Sequence, residues 1–157
     1  MRITLLVIGK TTDSSVQRLI DDYSGRLQHY APFSIEVIPE LRNTRALSPE
    51  QQKAQEAELI RRQLQTSDHV VLLDEHGREY RSIEFAAMVE KRMAAGIKRL
   101  LFIVGGPYGF DLSVYELAKE KLSISKMTFS HQLIRLLFVE QLYRAFTIIN
   151  HEPYHHE

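Results

Sequence analysis

The chain has no cysteine. Disulfides and thiolate metal sites are excluded, and the composition suits the reducing cytosol. No apolar run approaches the ~20 residues of a membrane span. The opening Met1-Arg2-Ile3-Thr4 passes directly into a strand pattern without the layout of a signal peptide, so a cytoplasmic protein is expected. Neither sign of charge is in excess, with 20 basic and 20 acidic residues. That argues against a generally basic nucleic-acid coat protein, although it leaves room for a local basic patch. Two common ligand signatures are missing, G-x-G-x-x-G and G-K-[ST], which removes the Rossmann fingerprint and the P-loop. His76 has carboxylates beside it but no second histidine at ligand spacing, so no metal is expected. Repeats, low-complexity tracts and linkers are also absent, and 157 residues fit a single domain spanning 1–157.

What is present is an alternation of strand and helix patterns. Arg2 to Gly9 is rich in Ile, Leu and Val and reads as a first strand. Val16, Leu19, Ile20, Tyr23, Leu27 and Tyr30 follow helical spacing as core positions, with Ser14 or Ser15 as the cap. Phe33, Ile35 and Val37 alternate with polar residues as a half-buried second strand. Ser48-Pro49-Glu50-Gln51 is a helix start, and that helix is expected to reach about Leu64. Val70 to Leu73 is a continuous apolar strand, followed by an expected turn at Asp74-Glu75-His76-Gly77. Ser82 is the expected cap of a helix carrying Phe85, Met88, Val89 and Met93, closed by Gly96. The order implies an α/β fold with a mostly parallel sheet flanked by helices.

The last third of the chain carries the functional signal. Leu100 to Val104 reads as a buried strand and runs into Gly105-Gly106-Pro107-Tyr108-Gly109, where glycines permit positive φ and close approach to a ligand. A second short strand, Lys121 to Ile124, ends in the loop Ser125-Lys126-Met127-Thr128-Phe129. Two loops that each follow a strand can form one cleft at the carboxyl edge of a sheet, where open α/β proteins bind ligands. The final helix, His131 to Asn150, is apolar around most of its circumference, and Arg135, Glu140 and Arg144 are the charges left on it. Such a helix must be buried nearly all round, and a domain this small has little material to do so. A homodimer is therefore expected, with Leu137 and Val139 among its contact positions.

Phe102-Ile103-Val104-Gly105-Gly106-Pro107-Tyr108-Gly109 resembles the trefoil-knotted SPOUT methyltransferases. The string Leu122 to Gln132, containing S-K-M-T-F-x-H-Q, strengthens the likeness, as do Glu140-Gln141-Leu142-Tyr143-Arg144-Ala145 and the ending Tyr154-His155. These segments are similar to a small branch that methylates N3 of a pseudouridine in 23S rRNA of the large ribosomal subunit. The resemblance implies a carboxyl-terminal trefoil knot, which periodicity cannot suggest because knots are nearly absent from proteins. It also implies an obligate homodimer and an S-adenosylmethionine pocket formed by Leu73, Gly105 and the loop Ile124, Ser125, Lys126, Met127, Thr128 and Phe129. Methyl transfer rests largely on positioning. The ring N3 carries a weakly acidic proton, so His131, His155 and Tyr154 are candidate acceptors, and Arg144 can stabilise negative charge on the ring or bind a phosphate.

One departure concerns the tail. Many relatives end Tyr-His followed by Arg or Lys, whereas this chain has His156, which carries less charge at neutral pH. The tail, Pro153 to Glu157, is expected to reach over the cofactor pocket of the partner subunit; the alternative is a frayed terminus. Two other functions compete: a non-catalytic ribosome- or RNA-binding module, and an α/β enzyme for another small ligand. Zero net charge weighs against the first, and the missing phosphate-loop signatures weigh against the second. A neutral enzyme also has little electrostatic reach for free RNA, which favours the assembled ribosome as substrate.

Overall fold

The apolar runs form five strands: β1 (Arg2–Ile8), β2 (Phe33–Ile38), β3 (Asp68–Glu79), β4 (Arg99–Val104) and β5 (Glu120–Ser123). The computed structural model describes residues 1–157. The strands lie in the order β2-β1-β4-β3-β5, and every strand pair is parallel. The helices are α1 (Ser14–Leu27), α2 (Pro49–Gln63), α3 (Ser82–Ala94), α4 (Leu112–Leu117) and α5 (Leu133–Ile149). One apolar core joins a sheet face to α1, α3 and α5, and a second joins the other face to α2 and α4. All of β4 is buried, as its unbroken apolar run requires when both faces are covered. No helix is long and apolar enough to cross a membrane.

Several local expectations change. The cap of α1 is Asp13, whose carboxylate accepts from Ser15 N at 2.9 Å and Val16 N at 3.0 Å. A cap must stand outside the helix with extended backbone, as Asp13 does and the helical Ser14 and Ser15 do not. Ser82 likewise lies inside α3; Glu84 accepts from the preceding Arg81 N at 2.8 Å, while Ser82 Oγ donates to Gln141 of α5 at 2.9 Å. Leu19 is 44% exposed and so is not core. The expected turn at 74–77 is an irregularity within a longer β3, whose pairing with β5 shifts register between Leu73 and Arg78. Gly77 makes this possible, because a Cβ there would lie 2.6 Å from the Lys121 carbonyl carbon. The six-residue α4, capped by Asp111, is too short to leave a periodic pattern.

The largest change is on α5. Arg135, one of the three charges on this apolar helix, is 1% exposed. Its Nε donates to His131 O at 2.9 Å, its Nη1 to Gly9 O at 2.8 Å and Thr11 Oγ1 at 3.2 Å, and its Nη2 to Ile8 O at 2.9 Å. Beside it, Gln132 accepts from Thr12 N at 2.8 Å and donates to Lys10 O at 3.1 Å. The entry to α5 is thus fastened to the exit of β1. Val139, expected at a subunit contact, is 0% exposed within its own chain, whereas Leu133 is 39% exposed and Leu137 is half-buried.

Replacing Arg135 by Met should leave three backbone carbonyls without their donor and lower stability in urea unfolding by about 3 kcal/mol or more. Lys should not rescue it, since one ammonium cannot reproduce the fork. A loss below about 1 kcal/mol would show that the clamp is dispensable.

Candidate functional site

A cleft of about 660 Å³ opens at the carboxyl ends of β3, β4 and β5. Leu73, Val104 and Leu122 form its floor, and the glycine loop Gly105 to Phe110 forms one wall. Ile124, Ser125, Met127, Thr128 and Phe129 form another, continued by Ser130, His131 and Ile134 at the start of α5. Nearly all the expected cofactor positions therefore converge. Lys126 is the exception and does not line the cleft. His131, expected among the proton acceptors, lies on this wall.

The cleft is shaped by backbone. A Cβ on Gly105 would lie 3.2 Å from the Phe110 ring and 3.3 Å from the Gly109 carbonyl carbon, so any side chain there crowds the glycine loop. Gly109 has φ of +82°, and its N donates to Gly106 O at 3.1 Å, closing the turn. The opposite loop is tied to itself and to β3. Ser123 Oγ donates to Ser125 O at 2.9 Å, Met127 N to Ser125 Oγ at 2.9 Å, and Thr128 Oγ1 to Glu75 Oε2 at 2.6 Å. Met127 projects outward at 76% exposed. Asp74 and Glu75 bring negative charge to the cleft, and Lys53 of α2 brings positive charge. Tyr115 donates to Asp74, and burial together with that bond pushes its phenol up. No group of three or more His, Asp or Glu side chains is arranged to hold a metal ion.

The other expected functional residues gather elsewhere. Glu140 Oε1 accepts from Arg144 Nη2 at 2.6 Å and from Tyr154 OH at 3.0 Å. Arg144 Nη1 lies 3.1 Å from His155 Nδ1. A guanidinium only donates, so this nitrogen of His155 accepts and the neutral ring carries its proton on Nε2. That Nε2 and Arg144 Nε are both buried without a partner. Burial, the Tyr23 hydroxyl at 3.4 Å and the bond donated to Glu140 push the Tyr154 phenol up. The tail is pinned to its own chain: Tyr30 OH donates to Glu152 at 2.7 Å, and Arg81 pairs with Glu157 at 2.7 Å. It is neither frayed nor folded over its own cleft.

Arg144, Tyr154 and His155 do not line the cleft. From Ile134 to Arg144 the helix advances about 15 Å. One chain thus carries a cleft and a separate side-chain cluster, joined by α5. Glu140 is the functional candidate that sequence reasoning missed. Its signals were its place in the string Glu140 to Ala145 that carries the resemblance and its helical spacing to Arg144, which an ordinary surface pair shares.

Residues 1–155 match the family model described as predicted SPOUT methyltransferase. The chain belongs to this family. The SPOUT fold is the parallel sheet flanked by helices described above, and membership implies the knot. Among its relatives are the ribosomal RNA large subunit methyltransferases H of Bacteroides fragilis and Phocaeicola vulgatus, each 59% identical over 157 residues and matched over 100% of both chains. A solved structure, the SpoU methyltransferase AviRb from Streptomyces viridochromogenes in complex with AdoMet, aligns with a TM-score of 0.45 and 16% identity over 95% of this chain. This chain spans 58% of that one.

The hydrogen bonds of the α5 cluster predict an alkaline signature. Tyr30, half-buried and bonded to Glu152, is pushed up to about 12, and Tyr115 and Tyr154 are also raised. Groups with raised pKa values stabilise the fold fully below the ordinary tyrosine range near ~10, and that contribution fades as pH rises through the folded values. A titration followed by phenolate absorbance should show late-ionising phenols, with Tyr154→Phe removing one. An unchanged late phase in that variant would contradict the contacts of Tyr154.

Proposed function

We propose that the chain transfers a methyl group from S-adenosylmethionine to N3 of a pseudouridine in 23S rRNA, acting as a homodimer on the assembled cytoplasmic large ribosomal subunit. The observation that carries this reading is the cleft. It lies within the size range of small-ligand pockets, it offers glycine backbone to a flat adenosyl group, and it has carboxylates and a lysine for a zwitterionic tail. The relatives' printed name supplies the reaction class and the large-subunit RNA.

Leu73, Gly105 and the Ile124 to Phe129 loop, apart from Lys126, hold the cofactor, with His131 beside them. When bound, S-adenosylmethionine would supply an electrophilic methyl carbon on a sulfonium, presented in line with the target nitrogen. The protein's task is to orient the target base and to manage one proton. Arg144 stabilises the negative charge that develops on the ring as the N3 proton leaves. The proton passes to a carboxylate lone pair of Glu140, which Arg144 and Tyr154 orient by donating to it, because the Nδ1 lone pair of His155 already accepts from Arg144. His156, exposed beyond His155, faces the RNA backbone.

The separation of the two half-sites supports the dimer. A cluster about 15 Å along α5 from its own cleft is useful if it completes the cleft of a second copy. Leu133 and Leu137, one helical turn apart and incompletely buried, give α5 an apolar stripe for that contact.

The test uses mixed dimers. Gly105→Val protomers should lose S-adenosylmethionine binding in calorimetry. Protomers lacking Pro153 to Glu157 should keep cofactor affinity and lose methyl transfer to ribosomes by ~10²-fold or more. Mixing the two should restore activity, since one partner contributes an intact cleft and the other an intact tail. No recovery in verified mixed dimers would contradict the shared site.

A further inference from the structure

Behind the glycine loop lies a carboxylate that the proposed reaction does not use. Glu56, on α2, is 4% exposed. Its neighbours Ala57 and Ile60 are core residues, and its Oε1 has no hydrogen-bond partner. A Cβ added to Gly106 would lie 2.4 Å from Glu56 Oε2 and 2.7 Å from Oε1. The carboxylate thus fills the volume that a side chain at 106 would need. Gly106 lines the cleft but Glu56 does not, so the carboxylate supports that wall from behind. Lys53, three residues earlier on the same helix, does reach the cleft.

Packing alone does not account for this residue. A buried acceptor without a partner costs about 1–3 kcal/mol, and a Leu or Met would fill the space without that penalty. Burial also pushes the Glu56 carboxyl above the usual carboxylate range, and the side chain of Gln52 offsets this only in part. An apolar side chain, however, cannot accept an N–H. The free Oε1 gives a loop amide somewhere to settle when the loop packs against a ligand. Local instability of this kind is characteristic of functional sites.

We propose that Glu56 is a positioning residue for the cofactor cleft: its buried carboxylate braces the Gly106 backbone and holds the Gly105–Gly109 loop in the shape that receives S-adenosylmethionine. The proposal rests on the reading of the cleft given above. Glycine at 106 is then required by Glu56 itself, and the two positions form one device.

Titration calorimetry of the full-length protein with S-adenosylmethionine tests this through coupled variants. Glu56→Ala should weaken binding about tenfold or more, equivalent to about 1.4 kcal/mol or more. Glu56→Asp, which draws the carboxylate back by one methylene, should show the same loss if the Ala variant does not fold. Glu56→Gln keeps the shape and an acceptor oxygen and should stay within about threefold of the unaltered protein. Gly106→Ala should weaken binding because its methyl meets the carboxylate, and adding it to Glu56→Ala should cause little further loss. In steady-state methylation of ribosomes, the Glu56 effect should fall on KM for S-adenosylmethionine and leave kcat and the KM for ribosomes nearly unchanged. A purely structural role would instead lower thermal stability without that split. Unaltered affinity in both Glu56→Ala and Glu56→Asp, or additive losses in the double variant, would overturn the brace while leaving the cofactor reading standing. Failure of the unaltered protein to bind S-adenosylmethionine would overturn that reading and this inference with it.

Discussion

A guanidinium buried without a carboxylate partner is an expensive object. Here Arg135 is satisfied by the backbone carbonyls of Ile8, Gly9 and His131 and by the Thr11 hydroxyl. Those acceptors come from opposite ends of the sequence. The contact therefore fixes where α5 begins relative to the exit of β1, and α5 carries both halves of the proposed site. Its first residues reach the cleft, and its later turns present Glu140 and Arg144. Burial lowers the pKa of Arg135 from the usual arginine value, but the group remains the donor on which this joint depends.

The central architecture was legible because burial on both faces writes itself into sequence. The runs around Leu72 and Phe102 are apolar at every position, and they became interior strands. The helix start at Ser48 was legible for a different reason: capping is local chemistry, and Gln51 N does donate to Ser48 Oγ at 3.1 Å. What failed was long-range. Asp74 to Gly77 contains turn residues, yet pairing with β5 draws it into β3, and nothing nearby in sequence reports that partner. The role of Arg135 was not legible because three of its four acceptors, on Ile8, Gly9 and Thr11, lie more than a hundred residues away.

The candidate site divides along the same line. Gly105 and the loop after β5 could be placed at one sheet edge from strand order and glycine content alone. Arg144, Tyr154 and His155 stood out through family resemblance, and their mutual bonds through Glu140 needed coordinates. The distance between that cluster and the cleft was invisible in sequence, and it is the strongest argument for a reaction shared between two copies. Part of the apolar circumference of α5 faces the sheet, α1 and α3, while Leu133 and Leu137 stay incompletely buried and are the stripe proposed for a second copy. Zero net charge fits such an enzyme, because a folded ribosomal target supplies shape where a free strand would demand basic charge.

The central claim is that this cleft and cluster together methylate a base nitrogen on the large ribosomal subunit. Assembled ribosomes lacking the modification can be incubated with the protein and S-adenosylmethionine carrying an isotopically labelled methyl group. The 23S rRNA is then digested to nucleosides and analysed by mass spectrometry against standards. The account predicts that the label appears in N3-methylpseudouridine and that the Arg144→Ala protein leaves it unincorporated. Label on a ribose hydroxyl or on another base, or no transfer by the unaltered protein, would contradict it.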